Sequence, residues 1–190
     1  ELKFKEKNIS FKWISEPDKG IYDAMNRGIL LSKAQWCNFM NTGDFFLSKE
    51  TLNEVFNSGD DFSNIALLYG SKVYENKTID PLPLKALTYG SIMGNHQSMF
   101  FNKHLLKEEL FYDLRYPIYG DYELVNRIFL NFGKLRFHKV DLSIANYLGG
   151  GISATPTFQK RKDKFLILLR HYGFIGFVRG VYYSIKEKMK

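Results

Sequence analysis

The stretch from Ile21 to Asp44 constrains the fold more than any other. Ile21, Ala24, Met25, Gly28 and Ile29 recur at i, i+3, i+4, i+7 and i+8, a spacing that predicts an amphipathic helix from Ile21 to Lys33. Trp36 to Met40 follows as an apolar run of strand length, and Asn41-Thr42-Gly43-Asp44 ends it with turn residues. A helix feeding a buried strand is the repeating unit of α/β proteins. The rest of the chain alternates in the same way. Ile9 to Ser15 reads as a strand, with Ile9, Phe11 and Trp13 alternating against Ser10 and Lys12. Lys49–Phe56 suggests a short helix, Ile65–Tyr74 one or two strands, Ser98–Asn102 a strand and Leu105–Leu110 a short helix. Pro81 and Pro83 mark an irregular connection. Leu124, Val125, Ile128 and Phe129 share a helix face, and Lys134–Val140 and Ser143–Leu148 read as two strands. Gly149-Gly150-Gly151 is a turn, and Phe165–Tyr172 and Phe174–Lys188 are helical in pattern. The predicted class is α/β.

Composition bounds what such a chain can do. At 190 residues, 45% hydrophobic and 25% charged, it is long enough to bury one core. One cysteine, Cys37, excludes an internal disulfide and a cysteine zinc cluster, and its place in an apolar run suits a small core residue. No apolar run approaches the roughly 20 residues that cross a bilayer. Charge is unevenly placed. Nine basic and two acidic residues lie between Phe158 and Lys190, so this tail carries the whole net charge of +7 and the body is neutral. A neutral body argues against nucleic acid as a partner. A basic tail interleaved with Phe, Ile, Val and Tyr suits an anionic membrane surface, or a helix packed on the body with its basic face in water. The expected organisation is a body over 1–157 and a basic amphipathic helical tail over 158–190.

Two carboxylates stand where chemistry is possible. Asp44 ends a buried strand, and open α/β sheets bind ligands outside the carboxyl ends of their strands. There it is either a turn residue or a ligand for a divalent cation that bridges a diphosphate. Asp121, in Tyr119-Gly120-Asp121-Tyr122-Glu123-Leu124, precedes a helical pattern. It is either an N-cap or a carboxylate held at a helix end facing a cleft. His96 and Gln97 follow Gly94-Asn95; His96 is a plain core or surface histidine or a hydrogen-bonding group. Asp18 sits in the turn before the first helix and is suited to cap it, while Asp23 lies within that helix.

The string SEPDKGIYDAMNRGI (Ser15–Ile29), followed by FMNTGDFF (Phe39–Phe46), resembles glycosyltransferase family 2, in the bacterial surface-polysaccharide type. The resemblance continues more loosely through Asn95-His96-Gln97-Ser98, Gly120-Asp121-Tyr122-Glu123-Leu124 and Gly149-Gly150-Gly151-Ile152-Ser153, and stops at Phe158. It implies an inverting enzyme with the GT-A (nucleotide-diphospho-sugar transferase) fold. The donor would be a nucleotide sugar, most simply a UDP-sugar, and the acceptor a hydroxyl on a glycan or lipid-linked glycan. Asp44 would hold Mg²⁺ or Mn²⁺ and Asp121 would act as the base. Asp18, Asp23, Asn41 and Gly43 would approach the donor, and His96 and Gln97 the acceptor. Only the last aspartate of the family's Asp-x-Asp metal motif is present, as Thr42-Gly43-Asp44. The family's upstream strands, which form much of the nucleotide pocket, have no counterpart here, so a partial GT-A domain is expected. The implied place is the cytoplasm, at the inner face of the membrane. The rival reading is a non-catalytic membrane- or partner-binding module that keeps the scaffold.

Overall fold

A computed structural model describes residues 10–150 and 157–188. Among the described residues six strands form one mixed sheet: β1 (Trp36–Cys37), β2 (Phe45–Phe46), β3 (Leu67–Tyr74), β4 (Lys77–Ile79), β5 (Met99–Asn102) and β6 (Phe137–Asn146). Their order is β1-β5-β3-β6-β2, with β4 paired to β3 as a hairpin. Only β3 and β6 run parallel. The helices are α1 (Ile21–Leu31), α2 (Thr51–Phe56), α3 (Lys103–Leu106), α4 (Gly120–Phe132) and α5 (Phe158–Lys188).

The sheet is covered on both faces, and β3 shows why. Its residues Leu67 and Tyr69 face one apolar cluster and Leu68 the other, the two-residue alternation of a strand. The larger cluster packs Ile29 of α1, Leu124, Val125 and Ile128 of α4 and Ile167 and Leu168 of α5 against the sheet. The smaller one packs Val55 and Phe62 against Phe100, Val140 and Ile144. A strand buried on both sides reads as apolar, as Ala66–Tyr69 does, and burial falls off from Lys72 onward.

Helix α1 forms where its 3.6-residue pattern predicts and ends two residues earlier than Lys33. Its last carbonyls are taken by Lys103, whose Nζ donates to Ile29 O at 2.7 Å and also to Ser32 O. A cation at a helix C-terminus complements the dipole. The two strands expected over Lys134–Val140 and Ser143–Leu148 are one strand, β6, entered through a 3₁₀ turn at Lys134–Arg136. The pairing jumps from Tyr69–Lys139 to Ser71–Ser143, so Asp141 and Leu142 bulge out of the ladder. A Cβ at Gly70 would lie 2.6 Å from Leu142 O, so this bulge needs glycine opposite it. The strand expected over Ile9–Ser15 does not form among residues 10–15, and Ile9 lies outside the described residues. Phe11, Trp13 and Ile14 are exposed, and no described strand pairs with this segment, so alternation has no ladder to join.

Helix α5 is two arms. Gly173, at φ 63° and ψ −161°, breaks it between the two helices expected there, and the first arm begins at Phe158 rather than Phe165. The second arm folds back along the first. Phe165 meets Phe177 at 5.3 Å between ring centroids, and Lys164 Nζ donates to Ser184 Oγ at 3.0 Å. Gly176 and Gly180 leave no room for a Cβ against Tyr172 and Leu168, so the arms lie in close contact. The first arm is part of the body, with Ile167 and Leu168 fully buried. Among the described residues no helix is long and apolar enough to cross a membrane.

Candidate active site

A cleft of about 1200 Å³ opens at the end of the sheet where β1, β3 and β6 finish and β5 begins. It is walled by α1, the turn after β1, β3, the loop before β5, the start of α4, the segment after β6 and the first arm of α5. Asn41, Asp44, His96, Gln97 and Asp121 all line it.

The Asn41–Asp44 turn closes with Asp44 N donating to Asn41 O at 3.1 Å. Gly43 sits at φ +92°, a left-handed conformation that favours glycine, and a Cβ there would press on Leu148 at 3.0 Å. The turn places Asp44 at the cleft wall. The carboxylate is held from two sides. Gln97 Nε2 donates to Oδ2 at 2.6 Å and Leu148 N donates to Oδ1 at 2.9 Å. Gln97 is itself buried, and its backbone carbonyl accepts from Asn38 Nδ2 at 3.0 Å, which also reaches Met99 O at 2.8 Å. Asp44 is thus tied to the sheet through Gln97 and Asn38.

Asp121 lies in the first turn of α4, one residue after its start, and Tyr119 rather than Asp121 occupies the cap position. Its Oδ1 accepts from Tyr122 N at 2.8 Å and lies 3.4 Å from the Tyr22 hydroxyl. Its Oδ2 faces His96 Nδ1 at 3.7 Å, too far for a hydrogen bond and close enough for an ion pair when the ring is protonated. His96 Nε2 is buried with no hydrogen-bond partner among the described residues. Tyr22 is anchored by its hydroxyl to Ile118 O at 3.0 Å and stacks on Tyr112 at 4.8 Å. Burial, and then the nearby Asp121 charge, push the Tyr22 phenol far above its ordinary range, so it stays protonated, its one hydrogen shared between Ile118 O and the more distant Asp121 Oδ1. The adjacent pair His96-Gln97 spans the site, one touching each carboxylate.

Lys72 of β3 also lines the cleft. Its ammonium lies 4.7 Å from the centre of the Tyr147 ring. Burial lowers its pKa and the Asp44 charge raises it in part. Sequence reading passed over Lys72 because it appears there only as one cation in a strand. The β3–β6 parallel register, which sets Lys72 beside Ala145, is what carries it to Asp44 and Tyr147.

Asp18 and Asp23 stand elsewhere. Asp18 accepts from Gly20 N at 2.9 Å and borders a separate hollow of about 880 Å³ outside α1. Asp23 accepts from Lys19 N and from Arg27 Nη2, each at 3.0 Å, and these contacts lower its pKa. Arg27 also pairs with Glu16 at 2.6 Å. Gly43 shapes the Asp44 turn without lining the cleft.

Among the described residues no group of three or more His, Cys, Asp or Glu side chains could hold a metal ion. Asp44 is a single carboxylate with one donor on each oxygen, so each oxygen keeps accepting capacity toward the cleft. That donor set fits Mg²⁺ or Mn²⁺ only as one ligand among waters and substrate phosphate oxygens, the usual manner of Mg²⁺.

No family model matches the chain. An uncharacterized glycosyltransferase of Mycobacterium tuberculosis (strain H37Rv) is 28% identical over 121 residues, covering 60% of this chain and 46% of that protein. A PGL/p-HBAD biosynthesis glycosyltransferase of Mycobacterium bovis (strain BCG Pasteur) is 27% identical over 139 residues, covering 71% of this chain and 54% of that protein. The chain spans about half the length of the curated relatives it matches. The crystal structure of S. aureus TarS 1–349 in complex with UDP-GlcNAc superposes with a TM-score of 0.62 at 14% identity, over 87% of this chain and 51% of that one. The chain is therefore similar in sequence to proteins named glycosyltransferases and shares its mixed α/β fold with TarS.

Proposed function

We propose that this chain has the GT-A fold and belongs to the catalytic domain of a family 2 inverting glycosyltransferase. It transfers a sugar from a nucleotide diphosphate donor, a UDP-sugar, to a hydroxyl of a glycan or lipid-linked acceptor in cell-surface polysaccharide biosynthesis, at the cytoplasmic face of the membrane. The observation that carries the reading is that Asp44 and Asp121 line one cleft, one on each side of His96-Gln97. The two carboxylates are held differently, as two roles require. Asp44 is gripped on both oxygens by neutral donors. Asp121 has Oδ1 anchored and Oδ2 turned toward the cleft side chain His96. The relatives' names and the UDP-GlcNAc in the TarS structure support the donor class.

Inversion is one displacement, so the protein must take the proton from the acceptor hydroxyl as it attacks. Asp121 accepts it on Oδ2, while Tyr122 N–H and the Tyr22 hydroxyl keep the carboxylate oriented through Oδ1. His96, which lines the cleft with its Nδ1 facing Asp121 Oδ2, is the side chain we assign to the acceptor. Lys72 supplies positive charge near the diphosphate at Asp44. A divalent cation bound with Asp44 would neutralise charge on the departing diphosphate. Asp121→Asn keeps the Oδ1 acceptor and removes the base. Turnover of the enzyme should fall by roughly 10²–10⁴ with UDP affinity unchanged. Undiminished turnover would remove Asp121 from the mechanism.

A further inference from the structure

The second arm of α5 has an outward face that the body does not cover. Phe174 (73% exposed), Ile175 (66%), Val178 (47%), Tyr182 (59%) and Ile185 (55%) form it. Their spacing of i, i+1, i+4, i+8 and i+11 places all five in one stripe of a helix. The opposite face meets the protein through Phe177, Gly180, Tyr183 and Ser184, with Tyr183 stacked on Tyr89 at 4.1 Å. Arg179 and Lys186 flank the stripe and are exposed. From Lys164 to Lys186 the sequence contains no acid.

We propose that this stripe docks on an anionic phospholipid bilayer surface, with its five apolar side chains at the headgroup–acyl boundary and Arg179 and Lys186 among the headgroups. Charge decides the occupant. A second copy of the chain laid on the same face would bring like charges together, whereas anionic lipid neutralises them. The arm lies on the bilayer rather than across it. Each arm holds about 15 residues, roughly 22 Å at 1.5 Å per residue, against a hydrocarbon core of about 30 Å. The first arm carries Lys160 and Lys164 to the wall of the cleft, so docking would hold the cleft at a fixed height above the lipid. The docking does not depend on the glycosyltransferase reading.

Co-sedimentation of the chain with vesicles of phosphatidylcholine alone, or of phosphatidylcholine with phosphatidylglycerol, tests it. The chain should bind the anionic vesicles at least about tenfold more tightly than the neutral ones. Arg179→Gln with Lys186→Gln should weaken anionic binding by roughly 25-fold, about fivefold per cation, and leave neutral binding unchanged. Ile175→Ser with Val178→Ser should weaken binding to both vesicle types about tenfold or more. All four positions are exposed, so circular dichroism should match the parent; Tyr182→Ser checks the stripe with an independent variant. Absence of binding to anionic vesicles, or stripe variants that bind as the parent does, overturns the proposal. A concentration-dependent dimer in sedimentation velocity that the stripe variants abolish also overturns it, and assigns the face to a second copy.

Discussion

Replacing Asp44 separates its structural from its chemical role, because its two anchors respond differently to Asn and to Ala. In the parent, Gln97 Nε2 donates to Oδ2 at 2.6 Å and Leu148 N donates to Oδ1 at 2.9 Å. Gln97 is 1% exposed, and its own Oε1 has no hydrogen-bond partner among the described residues. Asp44→Asn can keep both bonds. Its Oδ1 still accepts from Leu148, and its Nδ2 can donate to Gln97 Oε1 once the Gln97 amide turns over. The charge-assisted part of the bonds is lost, so Asn should cost about 1 kcal/mol or less. Asp44→Ala removes both acceptors and leaves a buried amide nitrogen unpaired. An unsatisfied buried donor costs about 1–3 kcal/mol, and the lost bond to Leu148 adds about 0.5–1 kcal/mol, giving roughly 1.5–4 kcal/mol. Urea unfolding followed by circular dichroism and fluorescence measures both, with equal slopes required for comparison. Equal stability losses for Asn and Ala, or no loss for Ala, would refute the argument that Gln97 and Leu148 hold the carboxylate.

Two further outcomes follow from the surrounding geometry. A Cβ at Gly120 would lie 2.6 Å from Cε2 of Tyr22, a ring 7% exposed and stacked on Tyr112, so Gly120→Ala should lower stability by about 1–2 kcal/mol in urea unfolding despite alanine's better helix propensity; unchanged or raised stability would show that the ring has room to move. Arg115, with Arg170 beside it, brings the Asp113 carboxyl down to about 2. A depressed carboxylate adds stability that is present above its unfolded pKa and lost as pH falls toward the folded value. Between pH 5 and 2 the parent should therefore lose about 1 kcal/mol more than Asp113→Asn, a figure reduced for the solvent exposure of Arg115; parallel acid profiles would count against it.

How much of this was legible beforehand depends on what sets each feature. Helix α1 follows from apolar spacing, a local property, and so does the turn at Asn41–Asp44, where Gly43 alone permits the left-handed backbone. β3 and β5 are legible because strands buried on both faces must be apolar. The strand read at Ile9–Ser15 fails among residues 10–15 because alternation shows a sheet-like surface but not a partner. The sequence reads as two strands over Lys134–Val140 and Ser143–Leu148, and only the pairing with β3, with Gly70 opposite Leu142, shows one strand with a bulge. The convergence of Asp44, Gln97, His96 and Asp121 is a property of the sheet order, as is the arrival of Lys72. In contrast, Asp18 and Asp23, which the family resemblance groups with the same site, are bonded to Gly20, Lys19 and Arg27 and do not line the cleft. The hairpin in α5 was half visible: Gly173 separates the predicted helices, but that Gly176 and Gly180 let them fold together is a matter of packing.

Thermal unfolding with UDP and Mn²⁺, on the parent chain and on Asp44→Asn, tests the central claim most directly. Binding to the folded state stabilises by mass action, about 2.7 kcal/mol at 100 times Kd, which for a domain of this size is a rise in Tm of roughly 5–10 °C. The account predicts that rise for the parent, its dependence on metal, and its loss in Asp44→Asn while the variant's own stability stays near that of the parent. A rise of equal size in Asp44→Asn, or one indifferent to metal, would contradict the placement of the nucleotide diphosphate at Asp44.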